Sequence, residues 1–132
     1  MPIISPSERV SRYLREGEIR AVDGTMHYKA LMPPLNTMKT SVFRTSGLGQ
    51  AEIWDLAVRK VEPTRGSVIG RGHLEASEVH AKSLQLIPDD DPESLHADIV
   101  GWSEDRDHRA TIAKELAAIA LVEKRPSVQS PS

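Results

Sequence analysis

The chain has 132 residues, 39% of them hydrophobic, with 17 Lys and Arg against 19 Asp and Glu for a formal net charge of −2. That length suits one domain, which removes roughly two-thirds of its surface from water on folding. The lack of cysteine excludes a disulfide scaffold, thiolate zinc sites and a cysteine nucleophile, and fits a reducing, cytoplasmic setting.

Residues 1–13 have neither the basic start nor the apolar run of a signal peptide. The longest apolar run, 117–122, is far short of the ~20 residues that span a bilayer, so no membrane association is expected.

In chain order, Ser5-Pro6-Ser7-Glu8 has the pattern of a capped helix start, which predicts a short N-terminal helix over 5–15 closed at Gly17. Asp23-Gly24 between 18–22 and 25–31 predicts a β-hairpin over 18–31. Pro33-Pro34 marks a loop, and the β-branched and aromatic run at 40–44 predicts a strand. Helical spacing of Ile53, Trp54, Ala57 and Val61 predicts a helix over 50–61, stopped by Pro63. A strand follows at 67–74, where Gly70 and Gly72 suggest a bulge. Two helical turns at 77–83 and a strand at 84–87, ended by Pro88, come next.

The alternation in 96–102 predicts a strand. A final helix over 104–122 is capped by Ser103 and buries Ile112, Ala113, Leu116, Ala117, Ile119 and Ala120. The expected class is therefore α+β, one domain over 1–124. Its small, mostly antiparallel sheet is packed by the helices near 50–61 and 104–122, and 125–132 is expected to be a disordered polar tail.

Charge is unevenly divided. Residues 1–66 carry 10 basic and 7 acidic side chains, and residues 67–132 carry 7 and 12. The acidic stretch 89–107 is a poor surface for a polyanion, so nucleic-acid binding would fall to Arg9, Arg12 and Arg15. Glu8, Glu16 and Glu18 interrupt that stripe, and a solvated face is the plainer reading.

Gly70-Arg71-Gly72 begins like a dinucleotide loop, but Glu75 stands where the third glycine belongs, and no Walker-type lysine follows a glycine-rich turn. There is no Gly-x-Ser-x-Gly elbow, and no catalytic residue is assigned. Asp89-Asp90-Asp91, His96-x-Asp98 and Asp105-x-Asp107-His108 offer oxygen and nitrogen ligands at a spacing that matches no calcium loop. The sequence reading is a solvated loop, with no metal and no cofactor.

The polar set that suggests a ligand is Lys29, Ser41, Arg44, His73 and His96, each in or beside a predicted strand, with the pocket itself assigned to Lys29, Ser41, Arg44 and His96. Two cations, a hydroxyl and an imidazole suit an anion pocket. The competing reading leaves the cations exposed or paired with Glu52 and Asp55. Trp54 and Trp102 are core anchors or interface residues.

The runs Tyr28-Lys29-Ala30-Leu31-Met32-Pro33, Ser41-Val42-Phe43-Arg44, Glu52-Ile53-Trp54 and His96-Ala97-Asp98-Ile99-Val100-Gly101-Trp102 resemble a family of short bacterial proteins that has no assigned activity. The likeness extends over roughly 13–121. It implies a bacterial cytoplasmic setting and a self-contained domain, and no reaction. Asp98, Ser103 and 70–73 depart from that pattern.

Three readings follow. The first is a small non-catalytic accessory or binding protein acting through a protein partner or ligand. The second is an enzyme or sensor for a phosphorylated or nucleotide-like molecule held by Lys29, Ser41, Arg44 and His96. The third is a weak nucleic-acid binder using the arginine stripe.

Overall fold

A computed structural model of the chain describes residues 4–89 and 95–126. Six strands, β1 (Arg9–Leu14), β2 (Thr40–Arg44), β3 (Gly70–Glu75), β4 (Gln85–Pro88), β5 (His96–Val100) and β6 (Leu121–Lys124), form one antiparallel sheet. Their order is β4-β5-β2-β1-β3-β6. Among the described residues four helices accompany it: α1 (Gln50–Lys60), α2 (Glu62–Arg65), α3 (Ala76–His80) and α4 (Arg106–Ile119). The class is α+β, as expected.

The period of two along each strand sorts side chains into two cores. Val10, Leu14, Val42, Leu74 and Ile99 join Leu116 of α4 and Val79 of α3 in the larger core. Tyr13 and Phe43 join Ile53, Trp54 and Ala57 of α1 in the smaller one. Trp102 lies in the larger core and Trp54 in the smaller, both buried. No residue of β4 or β5 enters the smaller core, so α1 and α2 cover only part of their face of the sheet.

Four expectations are corrected. The N-terminal helix over 5–15 is a turn followed by β1. Within Ser5-Pro6-Ser7-Glu8 the one backbone–backbone hydrogen bond is Glu8 N–H to the Ser5 carbonyl at 3.0 Å, a turn that the Ser7 N–H supports by donating to Ser5 Oγ. Val10, Tyr13 and Leu14 have helical spacing, but two cores on opposite sides of a sheet require Tyr13 on the face opposite Val10 and Leu14. That burial outweighs the cap signal.

The hairpin over 18–31 reduces to a single bridge, Ile19 with Met26, about a turn in which Gly24 has φ +74°. The chain then enters a 3-10 turn at Tyr28–Ala30, whose Lys29 N–H donates to His27 Nδ1.

The expected bulge at Gly70 and Gly72 is absent. The β1–β3 ladder runs unbroken from Arg9↔Glu75 to Leu14↔Gly70. Glycine is needed there for space: a Cβ on Gly70 would lie 2.8 Å from the Glu123 carbonyl oxygen.

The final helix begins at Arg106, capped by the Asp105 carboxylate rather than by Ser103. It stops at Ile119, which is exposed, and 121–124 form strand β6 against β3 instead of a last helical turn. Of the expected tail, Arg125 is held: its N–H donates to the Ile69 carbonyl and its guanidinium to Glu62. Residues 127–132 lie outside the described residues. Among the described residues, no helix is long and apolar enough to cross a membrane.

Candidate functional site

The part of the sheet that α1 and α2 leave open carries a polar cluster. Ser41 sits opposite Asp98, and Phe43 opposite His96, across the β2–β5 ladder. Directly opposed residues share a face, so all four point the same way. Asp89 joins the His96 row at the other edge, where its N–H donates to the His96 carbonyl at 2.9 Å.

His96 is the centre. Its ring packs against Phe43 at 5.5 Å between centroids and is largely buried, with 17% of the side chain exposed. Nε2 is hydrogen-bonded to Ser41 Oγ at 2.6 Å and lies 3.5 Å from Asp98 Oδ1. Nδ1 faces Asp89 Oδ2 at 3.4 Å, yet among the described residues this buried nitrogen has no hydrogen-bond partner. One nitrogen of His96 and one oxygen each of Asp89 and Asp98 lie within 4.8 Å of one another.

A narrow cleft of about 90 Å³ adjoins Ser41 and is lined by Arg12, Phe43, Lys60 and Arg65 among others. The strands β1 and β2 pair only at Val10↔Arg44 and Ser11↔Phe43. Beyond that point Arg12 donates to the Ala30 and Ser41 carbonyls, both at 2.8 Å, which fixes the end of β2 that carries Ser41. Burial, and then the neighbouring Arg65, lower the Arg12 pKa to about 10, so it remains charged at neutral pH.

Of the four expected ligand residues, the structure brings Ser41 and His96 together and leaves the other two apart. Arg44 is three residues from Ser41 and so falls on the opposite face. Its guanidinium grips Glu8 in a two-pronged pair at 2.6 and 2.9 Å. Lys29 is exposed on the 3-10 turn. Glu52 and Asp55, the expected partners, instead cap Gly49 and pair with Arg59.

The arginine stripe likewise dissolves. Arg9 is bonded to His73 and Glu75, Arg12 is inside, and Arg15 pairs with Glu18.

Asp98 and Asp89 enter the cluster from the acidic stretch that the sequence reading left solvated; Asp90, Asp91 and Glu93 lie outside the described residues. The signal for Asp98 was its two-residue spacing from His96 on a strand. Asp89 arrives only through the β4–β5 pairing.

Chemically, Ser41, His96 and Asp89 have the order of a hydrolytic triad. The bond that orients such an imidazole, from Nδ1–H to the carboxylate, is not made. What the cluster offers is two carboxylates, an imidazole and a hydroxyl side by side on one face of the sheet, with Asp89 the most exposed of the ionisable groups. Comparison with family models, curated proteins and solved structures found no match to this chain.

Proposed function

We propose that the chain is a small non-catalytic binding domain whose recognition surface is the open strip of β2, β5 and β4. The observation that supports this is His96, with Ser41 and Asp98 at one ring nitrogen and Asp89 at the other, on strands that, among the described residues, contribute nothing to the core under α1 and α2. The two carboxylates make the strip attractive to a ligand that brings positive charge or hydrogen-bond donors, and unattractive to a bare phosphate. A small ligand suits it better than a protein docking through tryptophan, because Trp54 and Trp102 are both spent on the cores. The cysteine-free composition and the resemblance to short bacterial proteins support action in a bacterial cytosol.

The test is thermal denaturation of the parent and of His96→Ala against inorganic cations, amines, polyols, phosphates and nucleotides. A native-state ligand at a hundred times its Kd stabilises by about 2.7 kcal/mol, enough to read as a shift of several degrees. At least one cationic or donor-rich compound should raise the parent's Tm and leave His96→Ala unmoved. If no compound acts, or if the rise survives in His96→Ala, the strip is not the binding surface.

A further inference from the structure

We infer that Asp89, His96 and Asp98 form a divalent-cation site selective for a first-row transition ion such as Zn²⁺ or Mn²⁺, an inference that rests on the binding-domain reading and names its ligand. Three ligand-type side chains from β5 and the end of β4 converge on one face, with donor atoms within 4.8 Å of each other. Metal–ligand bonds near 2.1 Å place two donors at most about 4.2 Å apart. Asp89 Oδ2 already faces Nδ1 at 3.4 Å, whereas Asp98 Oδ1 stands beside Nε2 at 3.5 Å and must turn its side chain toward the Nδ1 side to complete the set.

The environment of Nδ1 points to a cation in particular. The nitrogen is buried, has no hydrogen-bond partner among the described residues, and faces a carboxylate oxygen at 3.4 Å. In the tautomer in which Ser41 Oγ accepts from Nε2–H, Nδ1 carries the lone pair and is the nitrogen that can bind a metal ion.

Ser41 then does what outer-shell partners of metal-bound histidines do: it fixes the tautomer and the ring angle. Asp98 supplies the second negative charge, so two carboxylates balance the doubly charged ion. The imidazole decides the metal class. Mg²⁺ and Ca²⁺ prefer all-oxygen shells, whereas Zn²⁺ and Mn²⁺ accept a mixed set. Three protein ligands leave at least one coordination position for a water or another small ligand.

The experiment is titration of the chelator-treated full chain with Zn²⁺, Mn²⁺, Mg²⁺ and Ca²⁺ by calorimetry. In parallel, the His96 ring resonances are followed by NMR as Mn²⁺ is added. One equivalent of Zn²⁺ or Mn²⁺ should bind saturably, with selective broadening of His96, and Mg²⁺ and Ca²⁺ should bind at least tenfold more weakly. Asp98→Asn and His96→Ala should each weaken binding by tenfold or more. Ser41→Ala, which removes no ligand, should weaken it less.

Melting of each variant in chelator shows whether it folds, and Asp98→Asn preserves side-chain shape where His96→Ala does not. Absence of one-equivalent binding below millimolar metal overturns the site, as does binding that Asp98→Asn and His96→Ala leave intact. If an amine or polyol still stabilises the protein through His96 in chelator while metals do not bind, the cation assignment falls and the binding domain stands. If neither metal nor organic compound acts through His96, both fall.

Discussion

His73 and Arg71 show how single side chains are held on the sheet face that carries the smaller core. Arg71 is buried and charged, and it is satisfied in full view of the core: Nε donates to Glu123 at 2.9 Å and Nη1 to Ser11 Oγ at 2.8 Å. A buried guanidinium of this kind is tolerable only with such partners. Beside it, Arg9 Nε donates to His73 Nδ1 at 2.7 Å, which requires that nitrogen to be unprotonated. Burial, then Arg71, then Arg9 lower the His73 pKa to about 4. In the unfolded chain the ring titrates near 6.5.

Between those values the unfolded state binds the extra proton, so stability rises with pH across that window. The contribution is fully present above about pH 6.5 and is lost as pH falls toward 4. The ring is only half-buried and solvent screens it, which reduces the effect to roughly 1 kcal/mol. His73→Gln should therefore flatten the pH dependence of denaturant midpoints between pH 6.5 and 4, relative to the parent. An unchanged slope in the variant would place the titration elsewhere. The sequence offers His73 only as a polar residue of a predicted strand; Arg9 across the ladder and Arg71 two residues away on the same strand are what define its environment.

At the level of elements, β6 is the piece whose absence from the sequence reading matters most. Its residues, Leu121-Val122-Glu123-Lys124, extend the apolar pattern of α4 by one turn, and periodicity alone continues the helix. What stops the helix is the sheet: β3 would otherwise present an open edge, and β6 pairs along it from Gly70↔Lys124 to His73↔Leu121. That pairing also delivers Glu123 to Arg71.

The two glycines of β3 are the trace that the sequence did carry. A Cβ on Gly70 would meet the Glu123 backbone carbonyl at 2.8 Å, whereas one on Gly72 would meet the flexible end of Met26. Gly70→Ala should therefore force β6 outward and cost about 1–3 kcal/mol, against the small gain that alanine brings to a strand elsewhere. Gly72→Ala should cost less, because a methionine thioether can swing aside. Chemical denaturation of the two variants checks the order. Equal costs would mean that β6 yields as readily as Met26.

At the scale of the whole molecule, the elements that bury a single face, α1, β4 and the body of α4, were legible because their apolar spacing has one interpretation, and β2, which feeds Val42 and Phe43 to different cores, was legible from its β-branched and aromatic run. β1 was not, since its apolar residues serve two cores and only the assembled sheet shows which goes where. The candidate site was half legible for the same reason. Ser41 and His96 declared themselves by residue type, but their neighbours are fixed by strand register, which is a property of the sheet and of no one segment.

That division also makes the cooperativity of the fold testable. Each core holds one tryptophan, Trp54 in the smaller and Trp102 in the larger. The cores share the same strands: Tyr13 and Leu14 are adjacent in β1 yet face opposite ways, as do Val42 and Phe43 in β2. Arg12 adds a tie, since it bonds to the carbonyls of Ala30 and Ser41 from β1. Neither core can lose its strands without exposing the other, so the domain should unfold as one unit.

Trp102→Phe leaves Trp54 as the reporter, and Trp54→Phe leaves Trp102. In each variant the urea transition followed by tryptophan fluorescence should coincide in midpoint and slope with the transition followed by far-ultraviolet circular dichroism. The expected slope is about 1–3 kcal/mol/M, in proportion to the surface exposed. A Trp54 signal that is lost at lower urea than the dichroism would mean that α1 and α2 detach first. The open strip beside them would then belong to a locally unstable layer and not to the rigid sheet.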